Sequence, residues 1–549
     1  MKGYKIRLSV LLLILSTLGV FAKRKNNRPN FLVIVVDDMG YSDLGCFGSE
    51  IRTPNIDKLA AVGVINTNFH TSALCAPSRS MLLSGCDNHE AGMGTMEEVY
   101  TYDKQNGAPE YAGVLSEDIT TIPEILQLNG YETMMSGKWH LGDDKGHWPV
   151  DRGFDHSFSL LKGGGSHFSD RRGLMRRDDP LPYVEDDMLL DSLPKGFYSS
   201  KNYTDKMLSY LRENSGSGKP FFAYLAYTAP HDPVQVPDAW LNRYKGVYDE
   251  GYDVLAQQRL RGAVNSGVAS SNSKVPDEHR NYERWNDLPL DRQKYLSRSM
   301  ELYASMIEYM DDQIGRVISF LEKSKELENT YIIFVSDNGS NPKSHDFYSK
   351  LVDDMAYLDG FNLSYNNMGK IGSFASIEYG FAQATNMPKH YVKTTSGEGG
   401  VNTPFIIMGP KVEGQGRIKR ELITSMDVKP TILDLAGVKS PKEYEGNTII
   451  ADRGVSLKQY FEGERDCPHA KGYIVAHEIF GTRYIRCGDY KLTNIGSAMH
   501  YGDDIWRLYN LKDDPSETID ISRSHPDIVK DLLIKWKEYK EEVGIIDYL

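Results

Sequence analysis

The chain is short of cysteine: five in 549 residues, Cys46, Cys75, Cys86, Cys467 and Cys487. That is too few for a disulfide scaffold at this length, and no spacing makes a Cys-x-x-Cys zinc pattern. Basic residues are not in excess. Lys and Arg number 63 against 76 Asp and Glu, a net charge of -13. This argues against nonspecific nucleic-acid binding, which needs a basic face, but not against a local cationic pocket for an anionic substrate. Internal repeats and low-complexity tracts are missing, and beyond residue 22 no run is apolar enough to span a bilayer.

What is there begins with Lys2, Lys5 and Arg7, then an apolar stretch from Leu8 to Ala22 that closes on Val20-Phe21-Ala22. A basic start, a short apolar run and small residues at its end form a secretory signal cleaved after Ala22. A membrane anchor is the alternative, but the run is short for one. The expected location is periplasmic or secreted. An odd cysteine count in an exported chain leaves at least one thiol unpaired. Cys75, in Leu74-Cys75-Ala76-Pro77-Ser78-Arg79, is the candidate for a thiol with another task.

Short apolar runs at Asn30–Val36, Glu132–Ser136, Phe221–Tyr227, Tyr331–Ser336 and Pro404–Met408 predict buried, mostly parallel strands. Helical patterns lie between them, at Asn55–Ala61, Thr121–Leu128 and Met300–Lys325. The alternation predicts an α/β domain over residues 23–440, a sheet with helices on both faces. Residues 250–297 and 340–392 are polar and predict irregular surface insertions. Past residue 440 the pattern changes to short alternating strands and an amphipathic helix at Ile528–Val543. A smaller antiparallel sheet with a packed helix is expected over 441–549.

Polar groups follow the strand runs at once: Asp37-Asp38, Lys138 and His140, His231, and Asp337-Asn338. In open α/β sheets the carboxyl ends of the strands line the ligand crevice. Adjacent carboxylates at a buried strand end need a cation, and the carboxylate and amide oxygens of both pairs suit calcium or magnesium. Either pair taken alone equally suits a helix N-cap or an Asx turn. Pro77 fits a first helical turn, so Cys75 sits at a helix N-terminus, which favours a thiolate. A buried, inert cysteine is the alternative. Taken singly, Lys138, Lys393 and His231 read as solvated or loop residues.

Taken together, the motifs resemble the type I sulfatases, members of the alkaline phosphatase superfamily, and most closely the bacterial arylsulfatases. They are Cys75-Ala76-Pro77-Ser78-Arg79, Gly137-Lys138-Trp139-His140, Ser336-Asp337-Asn338-Gly339, the Lys393–Gly400 loop, Met426–Gly437 and Leu508–Glu517. The similarity runs from about residue 28 to 545. One departure is Asn402, where the family's Glu-Gly-Gly-x-Arg-x-Pro pattern has arginine.

The resemblance implies a large mixed, mostly parallel sheet sandwiched by helices. It implies a formylglycine-generating maturation enzyme that oxidises Cys75 to formylglycine (3-oxoalanine). It implies a calcium ion, with magnesium the lesser choice, held by Asp37, Asp38, Asp337, Asn338 and the modified Cys75. In the implied reaction the hydrated aldehyde attacks sulfur and Asp337 takes its proton. His231 protonates the leaving oxygen with Lys393, and His140 deprotonates the second hydroxyl so that sulfate is expelled. Lys138, Lys393 and Arg79 hold the sulfate oxygens. His89 and His167 fall in segments that resemble pocket regions and are candidate substrate contacts, with plain loop residues the alternative.

The activity expected is hydrolysis of sulfate monoesters, aryl sulfates in the test tube and sulfated carbohydrates in nature. The alternatives are a phosphodiester or phosphonate monoester hydrolase of the same superfamily, or a glycan-binding relative in which Cys75 is never converted.

Overall fold

The computed structural model describes residues 28–97, 103–277, 282–344, 360–496 and 503–547. The expected signal segment, 1–22, lies outside them. Seventeen strands are numbered in chain order. The first eleven are β1 (Asn30–Val36), β2 (Val64–His70), β3 (Glu132–Lys138), β4 (His156–Leu160), β5 (Tyr183–Glu185), β6 (Met188–Leu189), β7 (Phe221–Ala226), β8 (Thr330–Ser336), β9 (Asn402–Met408), β10 (Arg417–Lys419) and β11 (Ile423–Thr424). They form one sheet in the order β10-β2-β9-β8-β1-β7-β3-β4-β5-β6, with β11 also on β2. The central strands β8-β1-β7-β3-β4 are parallel; β9 runs against both β8 and β2.

The seven residues of β1, Asn-Phe-Leu-Val-Ile-Val-Val, are all buried because helices cover both faces. Leu32, Ile34 and Val36 enter one core cluster, while Phe31, Val33 and Val35 enter the other. Each such side chain contributes roughly 1.5–3 kcal/mol on burial. Register then decides the chemistry. Val36 lies opposite Ser336 and Gly137 opposite Ala226. Asp37, Asp337 and Lys138 therefore emerge together at one sheet edge.

The helix Pro54–Val62 starts with Pro at its first turn and has no cap from its own Thr53. Its free N–H groups at Asn55 and Ile56 donate instead to the Asp311 carboxylate, at 3.1 and 2.8 Å. Asp311 belongs to the long helix Leu290–Lys323, so the cap also pins two helices together. Thr121 and Glu124 make a reciprocal capping box on Ile122–Leu128.

The stretches expected as irregular insertions are partly helical. Gly251–Asn265 is a helix with Leu255, Ala256, Arg259 and Ala263 buried, Leu290 already begins the long helix, and Glu378–Thr385 is helical. Their polar composition hid a narrow apolar face. Residues 345–359 of the second stretch lie outside the described residues.

Beyond the short hairpin β12 (Glu443–Tyr444) and β13 (Asn447–Thr448) comes a second sheet. It consists of β14 (Ile474–Ile479), β15 (Thr482–Cys487), β16 (Tyr490–Asn494) and β17 (Trp506–Asn510), all antiparallel. The helix Pro526–Val543 packs Leu532, Trp536 and Val543 with Ile485, Leu492 and Leu508 of this sheet. All five cysteines are free thiols. Among the described residues no helix is long and apolar enough to cross a membrane.

Candidate active site

Cys75 is the first residue of the helix Cys75–Ser84, whose ten residues are all buried. Its Sγ lies 3.3 Å from His140 Nδ1. Burial opposes ionisation of the thiol, but the Lys138, His140 and Lys393 charges overcome it and bring the pKa down to about 5. The sequence feature that marks this helix start is therefore matched by cationic surroundings.

One helical turn on, Arg79 donates from Nε and Nη2 to Asp337 Oδ2, at 2.9 and 2.7 Å, and from Nη1 to the Lys138 carbonyl at 3.1 Å. Lys138 Nζ donates to Asp37 Oδ2 at 2.8 Å. Lys393 Nζ sits 2.6 Å from Asp38 Oδ1, and the other Asp38 oxygen is 3.3 Å from His231 Nε2. Asn338 Nδ2 donates to Asp38 Oδ1 at 2.7 Å. All these side chains are buried. Asp38 (φ 67°) and His140 (φ 59°) occupy the left-handed region, at a cost of order 1–3 kcal/mol each that the surrounding contacts must hold.

The electrostatics divide the carboxylates. Burial, helped by the Asp337 and Asp38 charges, raises the Asp37 pKa well above the carboxylate range despite Lys138 and Arg79. Burial acts on Asp38 too, but Lys393 and His231 hold it low. Burial pulls His231 down to about 4, Lys393 adds to this, and Asp38 resists.

A metal ion fits the donors present. Asp37 Oδ1 and Asn338 Oδ1 are buried and accept no hydrogen bond. Ligand atoms of Asp37, Asp38 and His231 all lie within 4.8 Å of one another. Cys75 and Asp337, expected alongside, fall outside that group: the thiol faces His140, and Asp337 Oδ2 is taken by Arg79. Oxygen donors of this kind match hard cations.

Two expected substrate contacts turn out to be occupied. His89 is wedged between Asp87 Oδ1, 3.1 Å from Nδ1, and Glu478 Oε2, 2.9 Å from Nε2. It ties the helix-bearing segment to β14 and offers no nitrogen to a ligand. His167 is next to the site but spends Nδ1 on Ser199 Oγ at 2.7 Å and Nε2 on the His231 carbonyl at 3.0 Å. Its role is to hold the His231 backbone.

Four contributors were not singled out from the sequence as parts of the site. Asp232 contacts His231 Nδ1 through its carbonyl at 2.6 Å and its carboxylate at 3.1 Å, and Asn341 Nδ2 donates to that carboxylate at 2.5 Å. The other two are Gly163 and Gly164, whose lack of a side chain makes room for the His140 and His231 rings. A Cβ on Gly163 would sit 2.8 Å from His140 Cε1, and one on Gly164 would sit 3.1 Å from His231.

The loop after Lys393 is clasped by the second sheet. Glu398 accepts from Lys491 Nζ at 2.8 Å and pairs with His70 Nε2 at 2.9 Å. Its backbone N–H donates to Glu517 Oε2 at 2.6 Å. Asn402, where the family pattern has arginine, donates to Glu398 Oε2 at 2.9 Å; the cation on that carboxylate is Lys491 of β16.

Comparison with known proteins identifies the family. The sulfatase family model matches residues 29–438, and a model described as N-sulphoglucosamine sulphohydrolase, C-terminal, matches 389–542. The chain belongs to the sulfatase family and is a sulfuric ester hydrolase. It is 40% identical over 534 residues to an uncharacterized sulfatase of Schizosaccharomyces pombe, covering 95% of each chain. It is 39% identical over 434 residues to an arylsulfatase of Klebsiella aerogenes, covering 79% of this chain and 92% of the relative. The crystal structure of Ps i-CgsB with k-i-k-neocarrahexaose superposes with a TM-score of 0.65 at 23% identity, over 93% and 92% of the two chains. That last likeness establishes the fold.

Proposed function

We propose that the chain is a formylglycine-dependent, calcium-binding sulfatase that removes sulfate from carbohydrate sulfate esters and also cleaves aryl sulfates. The observation that carries this reading is the placement of Cys75 Sγ against His140 Nδ1 inside a ring of Lys138, Lys393 and Arg79. A glycan substrate is supported by a relative, 24% identical over 607 residues, named N-acetylglucosamine-6-O-sulfatase, from Bacteroides thetaiotaomicron. The basic, apolar and small-residue pattern of residues 1–22 supports export to the periplasm or beyond, with mature domains over 23–440 and 441–549.

Asp37, Asp38 and Asn338, with Asp337 and residue 75 beside them, would hold the calcium ion. When present, the hydrated aldehyde at position 75 and the ion supply a neutral hydroxyl nucleophile and the charge that acidifies it. The remaining work falls to the chain's own side chains. Asp337, oriented by the Arg79 fork, takes the proton of the attacking hydroxyl. His231 gives a proton from Nε2 to the departing oxygen. Its low pKa leaves it mostly neutral at pH 7, so an incoming sulfate ester, with Asp38 and Asp232 on its two nitrogens, must stabilise the imidazolium. His140 removes the proton from the second hydroxyl at residue 75. Lys138, Lys393 and Arg79 bind the sulfate oxygens in a dry, cationic cup.

The test pairs two measurements on purified protein. Intact-peptide mass spectrometry reads the conversion of Cys75, and turnover of nitrophenyl sulfate is compared with that of a nitrophenyl phosphodiester. Conversion with preference for the sulfate supports the reading; an unconverted, inactive chain or a preferred phosphodiester overturns it.

A further inference from the structure

Away from the catalytic centre, on the other side of the Lys393–Glu398 loop, a cavity of about 160 Å³ opens at the seam between the two sheets. That is about ten times the ~10–15 Å³ a single water needs. Segments distant in sequence converge on it: Asn68 from β2, Ser270, Lys389, Arg420 between β10 and β11, and Arg486 from β15. Its charge is one-sided. Among the described residues the single acid in the wall is Glu398, already matched by Lys491 at 2.8 Å. Three cations, Lys389, Arg420 and Arg486, face it.

These cations are incompletely satisfied. Arg486 donates to Asn68 Oδ1 at 2.9 Å and to the Gly488 carbonyl at 3.0 Å. Arg420 donates to the Gly267 carbonyl at 2.7 Å and the Ile418 carbonyl at 3.4 Å, and among the described residues pairs with no carboxylate. The Lys389 side chain, only 12% exposed, comes no closer than 3.8 Å to Glu398 Oε2, with its ammonium 5.1 Å from the Tyr41 ring centre. Burial, with the neighbouring Arg486 and Lys491 charges, pulls its pKa down. An oxyanion would relieve this surplus, and two guanidiniums with an ammonium are the donor set that multi-oxygen anions select.

We propose that this seam cavity binds a sulfate group outside the catalytic centre. The choice of sulfate among oxyanions rests on the function proposed above. The group is either inorganic sulfate released by the reaction or a second sulfate ester on the same glycan. The volume admits one such group or one sugar residue, not a folded polymer. Lys389 and Glu398 flank the loop that carries Lys393, so an occupant bears directly on that loop.

Equilibrium dialysis with radiolabelled inorganic sulfate tests this on full-length Cys75→Ala protein, the variant expected to lack turnover. Two sulfates bound per chain are expected, falling to one when Lys389→Met or the exposed Arg420→Ala is added. One sulfate in all three proteins, or two in all three, overturns the proposal. Kinetics of the otherwise unaltered enzyme then identify the source. If an ester sulfate docks there, Lys389→Met raises KM for a multiply sulfated oligosaccharide at least tenfold and leaves that for nitrophenyl sulfate unchanged. If released sulfate docks there, the variant changes inhibition by added sulfate and neither KM. Absence of sulfatase turnover alongside a retained second sulfate site would fault the function, not the cavity.

Discussion

Arg79 grips a single oxygen of Asp337 with two donors, Nε at 2.9 Å and Nη2 at 2.7 Å, while its third nitrogen holds the Lys138 carbonyl. One side chain thus fixes the ends of two strands, β3 and β8, and leaves Asp337 Oδ1 for the backbone of Asp38 at 3.3 Å. A lysine cannot reproduce this fork. Arg79→Lys is expected to lower kcat by ~10²–10³-fold, with a smaller change in KM. Arg79→Ala leaves a buried carboxylate without its partner, and a loss of about 3–5 kcal/mol is expected in urea unfolding.

Cys75→Ala removes the side chain proposed to become the nucleophile. Turnover of nitrophenyl sulfate should vanish while circular dichroism and the melting temperature stay close to those of the parent, because a small buried group is exchanged for another. Wild-type turnover in this variant would end the formylglycine account.

Asp38 accepts from Lys393 and Asn338 and faces His231. Asp38→Ala is expected to remove both calcium, read by elemental analysis, and activity. Chelation of the parent protein should abolish activity that added calcium restores. Activity untouched by exhaustive chelation would remove the metal from the mechanism.

His89 supplies a pH signature of stability. Burial disfavours its charge, but Asp87 and Glu478 outweigh burial and lift its pKa to about 9. Because the folded value exceeds the unfolded one near 6.5, the stabilisation is fully present below pH ~6.5. It is lost as pH rises through about 9. His89→Gln should therefore lower unfolding free energy by about 3 kcal/mol at pH 6, with the gap to the parent closing toward pH 9.5. A gap that does not change with pH would show that His89 is neutral in the folded chain.

Gly163 lies against the His140 ring, where a Cβ would come within 2.8 Å of Cε1. Gly163→Ala should push the imidazole away from residue 75 and reduce kcat by ~10²-fold. Calcium content should be unchanged, which distinguishes a displaced ring from a damaged metal centre.

Much of this arrangement was legible in the sequence wherever burial and polarity change abruptly. The run Asn30–Val36 is apolar to its last residue and then turns to Asp37-Asp38, so strand, edge and chemistry could all be read from it. By contrast β2, Val-Ile-Asn-Thr-Asn-Phe-His, mixes apolar residues with amides and passes unnoticed. Its Asn66 is fully buried and donates to the Glu421 carbonyl 355 residues away, a partner no local pattern can supply. His89 and His167 mislead for the same reason. A histidine in a glycine-rich or motif-rich stretch resembles a ligand contact until distant residues such as Glu478 and Ser199 are seen to consume its nitrogens. The family pattern located Cys75, Lys138 and Lys393. Asp232 and Asn341 escaped because their relevance arises only once β7 and β8 lie at one edge.

The contact of Lys491 with both Glu398 and Glu517 has an engineering consequence. The second sheet is an internal brace rather than a detachable module. A chain truncated near residue 438 would leave the buried Glu398 carboxylate without its main counter-ion, and the turn bearing Lys393 would lose its footing. Shortened or split versions of this enzyme therefore need both halves supplied together.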